Sequence, residues 1–245
     1  MNEQDTKHPS LLDTIRKTVL VPIHPAGVPF IIGAAILTLV LMLIDEGLGL
    51  IGIILTLFCT YFFRNPTRVT PSRPGLVVSP ADGLITGIAE NVPLPKEIAQ
   101  DGDTSDYTRI SIFLSVFDVH VNRSPAAGTV IKDAYVPGKF VNAALDKASE
   151  DNERAAAKLR TPDGKIVGVV QIAGLVARRI ITDMKEGTTF AAGERYGLIR
   201  FGSRGDVYLP AGVHPLVCVG QRAVGGETVL ADLTSTEARR EGKAH

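Results

Sequence analysis

The 245-residue sequence has no tryptophan, only two cysteines, and no surplus of either charge, with 26 Lys and Arg against 26 Asp and Glu. A balanced charge argues against nucleic acid as a partner, because such proteins carry a basic footprint. Cys59 and Cys218 are too few for a disulfide framework and too far apart for a metal knuckle. Internal repeats, low-complexity tracts and a GxSxG elbow are also missing. Aromatic residues make up only 6%, yet the mean hydropathy of +0.18 is high for a soluble chain. The excess is local.

It lies in two uncharged runs, Val28 to Ile44 and Leu48 to Phe63, separated by Asp45-Glu46-Gly47. A bilayer span takes about 20 apolar residues, with roughly 17 as the lower bound. Each run is marginal alone, and together they read as a helical hairpin in or through a membrane. A buried helical pair in a soluble core is the less favoured rival. A cleaved signal peptide does not fit, since the run starts late and is doubled. Lys7, Arg16 and Lys17 precede the hairpin, and Arg64, Arg68 and Arg73 follow it, which places both flanks on the cytoplasmic side. Ser10 to Leu20 reads as a short amphipathic helix on the anionic surface. The expected organisation is therefore an amphipathic segment over 1–27, a membrane hairpin over 28–63 and a β-rich domain over 64–245.

Beyond Phe63, Arg64-Asn65-Pro66, Pro71 and Pro74 make a stiff connector. Short strands are expected over Thr108 to Val116, Gly128 to Val136, Ile166 to Ala173, Leu175 to Thr182, Asp206 to Leu209, Leu216 to Val219 and Thr228 to Leu233. Asn152 to Leu159 is read as a strand as well, although its Arg-Ala-Ala-Ala-Lys-Leu favours helix. The fold class expected is mainly β, a sandwich or barrel (a barrel-sandwich form included), behind an amino-terminal membrane hairpin.

Three places carry candidate chemistry. Ser79-Pro80-Ala81-Asp82-Gly83 presents a carboxylate before a strand, though Asp-Gly is equally a hairpin turn. His120, in Phe117-Asp118-Val119-His120-Val121-Asn122-Arg123, has polar neighbours able to fix an imidazole tautomer, against the alternative of a structural histidine. In Arg200-Phe201-Gly202-Ser203-Arg204, glycine exposes its carbonyl to the Ser203 hydroxyl, which needs a base before it can attack. The bland alternative is a β-turn. The embedded Arg204-Gly205-Asp206 looks like an integrin-binding tripeptide and is read as coincidence.

In combination and order these segments resemble the phosphatidylserine decarboxylases in their short membrane-anchored form. The resemblance starts at Phe62-Phe63-Arg64-Asn65-Pro66. It then runs through SPADG at Ser79, FLSVFDVHVNRSPAAG at Phe113, YVPG at Tyr135, NER at Asn152 and RFGSR at Arg200. It implies a proenzyme that cuts itself between Gly202 and Ser203, leaving a pyruvoyl group derived from Ser203 as the only cofactor, with no metal. It further implies a Schiff base between that group and phosphatidylserine, loss of carbon dioxide, and release of phosphatidylethanolamine. His120 would act as base and proton donor, with Asp82 holding the imidazole as in a hydrolase triad. Asn122, Arg123, Arg64 and Arg68 are candidate substrate contacts. The two products, 1–202 and 203–245, would stay together as a heterodimer on the cytoplasmic side of a bacterial inner membrane, with any higher oligomer left open. Longer relatives carry a second histidine where this chain has Arg123, and short ones carry a branched apolar residue where it has Gly205, which should loosen the strand. A membrane-anchored Ser-His-Asp hydrolase and a non-catalytic β adaptor on a membrane hairpin remain the rival readings.

Overall fold

The computed structural model describes residues 21–100, 103, 106–138, 152–174, 179–200 and 202–243. The amphipathic helix expected before Val21 and part of the strand expected over Leu175 to Thr182 lie outside them. The chain divides into two compact units, Met1–Thr67 and Arg68–His245.

The first unit is a helical hairpin. After a 3₁₀ turn at Pro25–Gly27, α1 (Val28–Ile44) and α2 (Glu46–Phe62) run back to back. Asp45 separates them and caps α2, its carboxylate accepting the Leu48 N–H at 3.1 Å. The helices approach closely where Gly52 faces Thr38, since a Cβ there would lie only 2.9 Å from the Thr38 hydroxyl. The Thr38 and Thr56 hydroxyls hydrogen-bond across the seam at 2.9 Å. Pro25–Ile44 forms one continuous stretch long and apolar enough to cross a membrane, while α2 is shorter. Leu39, Leu43, Ile51 and Leu57 are exposed on its outside.

The second unit is mainly β, as expected. Its strands are β1 (Leu76–Val78), β2 (Gly83–Val92), β3 (Tyr107–Leu114), β4 (Val121–Arg123), β5 (Gly128–Val136), β6 (Arg154–Arg160) and β7 (Ile166–Ala173). They continue with β8 (Ile180–Thr182), β9 (Thr189–Phe190), β10 (Arg195–Ile199), β11 (Ser203–Leu209), β12 (Arg222–Ala223) and β13 (Val229–Asp232). The largest sheet has the order β12-β2-β3-β11-β7-β6-β5-β9, beside a β4-β10-β8 sheet and a β1-β13 pair. That large sheet is open. Its end strands are not paired with each other among the described residues, so the expected barrel does not close.

Two local expectations need correction. Leu216 to Val219 is not a strand. Only Leu216 bonds toward Leu230, and Pro215 makes one isolated bridge to Ala231. The strand expected from Asp206 instead starts at Ser203. The Arg-Ala-Ala-Ala-Lys-Leu segment is strand β6, buried from Arg154 to Leu159 between β5 and β7. Its small alanines suit a covered sheet face, so tertiary packing overrides helix propensity here.

The core lies on both faces of the large sheet. Ile85, Ile110, Ile112, Val207 and Leu209 pack with Val77 and Leu230 in one cluster. Leu94, Ile98, Tyr107, Val170, Ile172 and Tyr208 form another. Strand β11 contributes to both because its side chains alternate. It is an interior strand, paired to β3 from Ser203 to Leu209 and to β7 from Ser203 to Tyr208.

Candidate active site

The site is built at the end of β3, where the chain turns tightly before β4. In that turn the Asp118 N–H donates to the Ser115 carbonyl at 2.9 Å. In return, the Asp118 carboxylate accepts the Ser115 N–H at 2.8 Å and its hydroxyl at 2.7 Å. The second oxygen of that carboxylate pairs with Arg222 on β12. The turn delivers the Asp118 main-chain carbonyl to His120 Nδ1, 2.9 Å away. A carbonyl can only accept, so Nδ1 carries the proton and Nε2 presents its lone pair. Nε2 accepts the Gly202 N–H at 3.2 Å. His120 is fully buried and stands just before β4, not within a strand.

Ser203 opens β11 next to this imidazole's partner. It is fully buried, and its hydroxyl has no hydrogen-bond partner among the described residues. Leaving such a group unsatisfied costs about 1–3 kcal/mol, so a folded protein that tolerates it invites a chemical explanation. Gly202 has φ +65, the left-handed region that glycine enters without penalty. The next residues are structural. Arg204 and Asp206, on one face of β11, form a bidentate pair at 2.7 and 2.9 Å, with Ser111 hydrogen-bonded to Arg204 at 2.8 Å. Both are buried, which leaves no accessible Arg-Gly-Asp tripeptide. Strand β11 also runs unbroken through Gly205, paired to Ile112 and Gln171.

A second cluster is charged. Asp82 lies in a bend before β2, and since β1 pairs with β13 instead of β2, this Asp-Gly is not a hairpin turn. Its carboxylate accepts from Arg68 at 2.6 Å and from the Gly225 N–H at 2.7 Å. The His120 nitrogen that a triad carboxylate would hold is the one bonded to the Asp118 carbonyl. Arg123 is buried. Its N–H donates to the Pro80 carbonyl at 2.8 Å, and its guanidinium donates to the Gly193 carbonyl at 3.0 Å. Burial pushes that guanidinium down to about 10, Arg195 and Arg68 add to the push, and Asp82 and Glu227 oppose it. It stays cationic at neutral pH.

The structure thus brings His120, Gly202 and Ser203 together, and groups Asp82, Arg68 and Arg123 with one another. Asn122 faces inward, its carboxamide oxygen accepting from Gln171 at 2.8 Å. Arg64 belongs to the first unit, where its guanidinium lies 3.8 Å over the Tyr61 ring. Sequence reasoning singled out neither Arg222 nor the bonds of the Asp118 carboxylate to Ser115 and Arg222. The Ser-x-x-Asp spacing at Ser115 was the available signal for the latter, since it is the pattern of a reciprocal turn box.

Comparison with known proteins bears on this arrangement. The family model described as phosphatidylserine decarboxylase matches residues 55–231. A protein from Cereibacter sphaeroides named phosphatidylserine decarboxylase proenzyme is 59% identical over 227 residues, covering 93% of this chain and 97% of its own. Proteins of the same name from Granulibacter bethesdensis and Nitrobacter winogradskyi are each 57% identical over 218 residues, covering 89% of this chain and 88% and 87% of theirs. The match spans Asp82, His120, Gly202 and Ser203 alike. By the extent of that match, the chain belongs to the phosphatidylserine decarboxylase family.

Proposed function

We propose that the chain decarboxylates phosphatidylserine to phosphatidylethanolamine after cutting itself between Gly202 and Ser203. One observation carries this reading: a buried Ser203 hydroxyl with no partner among the described residues, directly after a left-handed glycine whose N–H is held by His120 Nε2. A serine hydroxyl titrates far above neutral pH and needs a base. His120 supplies it, exchanging the Gly202 N–H for the Ser203 proton. The Ser203 oxygen then bonds to the Gly202 carbonyl carbon as the C–N bond breaks, turning amide into ester. Loss of the Ser203 α-proton and of the Gly202 carboxylate leaves dehydroalanine, which takes up water and releases ammonia.

The residues fit a serine-derived pyruvoyl group, because among the described residues the Ser203 oxygen is spent on no structural bond. When present, that group binds the substrate amine and accepts the electron pair left by carbon dioxide. His120 remains buried beside it, able to hold or return a proton at Nε2. Arg68 and Arg123 supply positive charge suited to the lipid's phosphate and carboxylate. The cut would leave both products in one body, because β11 begins at Ser203 and stays between β3 and β7. The hairpin keeps the catalytic unit at the membrane that holds its substrate, and the basic flanks favour the cytoplasmic face of a bacterial inner membrane.

Intact-mass analysis of the full chain purified in detergent tests this reading. Two polypeptides are expected, the smaller starting at residue 203 with a blocked amino end, and Ser203→Ala should remain a single inactive chain. A single uncut chain that still decarboxylates would overturn it.

A further inference from the structure

We infer that Asp118 and Arg222 form a positioning clamp for His120 that bridges the two chains created by self-cleavage. The inference rests on the reading of His120 as the base. In solution an imidazole exchanges between two neutral tautomers, and only one has its lone pair on Nε2. Here the Asp118 carbonyl, 2.9 Å from Nδ1, selects that one. A main-chain carbonyl acts this way only if the turn that carries it is fixed. The turn is fixed by the Asp118 carboxylate: one oxygen takes both donors of Ser115, and the other takes Arg222.

The location of Arg222 gives the clamp its second property. Asp118 lies upstream of the cut and Arg222 downstream of it. Arg222 is held on β12, which pairs to β2 through Leu84. After cleavage the small chain therefore still braces the turn that aims the large chain's histidine. Asp118 is 7% exposed at its side chain and Arg222 is 64% exposed. The carboxylate is thus the interior half of the clamp, and the guanidinium is an outer strut that can be removed without opening the core. Neither side chain touches Ser203. Both are positioning residues acting through the imidazole.

The test uses the full chain in lipid nanodiscs. In a Ser203→Ala background, which stays uncut, nitrogen NMR of labelled histidine reads the His120 tautomer directly, with His120→Ala identifying the signal. The unmodified clamp should show the proton on Nδ1, and Asp118→Ala and Arg222→Gln should move population to Nε2. With Ser203 restored, self-cleavage should slow as the competent tautomer is depleted, because the rate scales with the competent fraction. We expect roughly tenfold for Asp118→Ala and about two- to fivefold for Arg222→Gln, inside the ~100- to 10,000-fold that a general base supplies. Once matured, Arg222→Gln should lower kcat and leave KM unchanged.

An unchanged tautomer with normal cleavage in Asp118→Ala would overturn the clamp. A raised KM at normal kcat in Arg222→Gln would also overturn it, showing that Arg222 contacts the lipid instead. Should Asp118→Ala not fold, Arg222→Gln carries the same test alone. Normal cleavage in His120→Ala would sink the base assignment, yet the NMR spectrum, which needs no activity, would still score the clamp.

Discussion

His120 and Gly202 meet across 82 residues of sequence, the imidazole Nε2 accepting the glycine N–H at 3.2 Å. The contact joins two sheets. Gly202 sits between β10 of the small sheet and β11 of the large one, and His120 leads into β4, which pairs with β10. A cut after Gly202 would sever a connection between sheets and leave every strand among the described residues intact.

From this follows the first expectation, for His120→Ala. The uncut chain should accumulate, with cutting slowed about 100- to 10,000-fold, the usual value of general-base assistance. The cleaved fraction against time, read on a gel, checks it. Cutting at the normal rate would remove His120 from maturation.

Asp82 calls for a different experiment, because its visible bonds go to Arg68 and Gly225. If Asp82 works through that frame, Asp82→Asn and Arg68→Gln should each slow cutting, and the double variant should be little worse than either alone. Groups sharing one bond are typically coupled by about 0.5–3 kcal/mol. Fully additive effects would argue that Asp82 holds the imidazole directly, as the family resemblance implies.

The acid limb of stability should depend on Asp232. Burial alone would raise its carboxyl, but the Thr234 hydroxyl and N–H together with Arg73 outweigh it and hold the group below its ordinary 3.8. A carboxylate depressed on folding stabilises above its unfolded value, and that contribution is lost as pH falls through the folded one. Asp232→Asn should therefore melt lower than the unmodified chain near neutrality, and the two should converge as pH falls through the depressed folded value. Thermal melts across pH in detergent decide this. A constant gap down to the lowest pH would show that the pair contributes through packing alone.

Much of this was legible in the sequence, for identifiable reasons. The hairpin announced itself because Asp45 and Glu46 are the only charges between Val28 and Phe63. Strands β5 and β7 were read to the residue, being long, β-branched and bounded by turns. Strand β2 was expected after Asp82 but given no bounds, since its Gly-Leu-Ile-Thr-Gly-Ile-Ala-Glu-Asn-Val alternates only at its start. Strands β1, β4, β9 and β12 have two or three residues each, too short for any period to show. In the site, His120 and Ser203 could be found by residue type. The group that sets the histidine tautomer could not, because it is a main-chain carbonyl, which every residue carries.

Gly205 was expected to loosen β11, but the strand runs straight through it. Among the described residues a Cβ there would meet only Pro80, at an ordinary 3.8 Å. Glycine in a strand interior is about 0.5–1 kcal/mol worse than alanine, through the entropy it loses on folding. Gly205→Ala should therefore raise the melting temperature modestly and leave cutting unchanged. A lower melting temperature would mean that the approach to Pro80 is tighter than it stands here.

Gly202→Ala separates backbone conformation from space at the scissile bond. An added Cβ would find Val116 no nearer than 3.9 Å, so there is room for it. The obstacle is φ +65, a region that costs an L-residue roughly 1–2 kcal/mol. Alanine should therefore push residue 202 toward negative φ, turning its N–H away from His120 Nε2 and its carbonyl away from the Ser203 hydroxyl. If the left-handed conformation is what presents the carbonyl for attack, that penalty corresponds to cutting slowed about 5- to 30-fold, at 1.4 kcal/mol per factor of ten. The alanine lies on the large chain after cutting, so turnover per pyruvoyl group in the fraction that matures should be normal. Cleavage time courses followed by activity per mole of small chain measure the two effects separately. Unimpaired cutting in Gly202→Ala would show that the glycine serves the turn alone, and a turnover defect in the matured fraction would assign residue 202 a part in the decarboxylation itself.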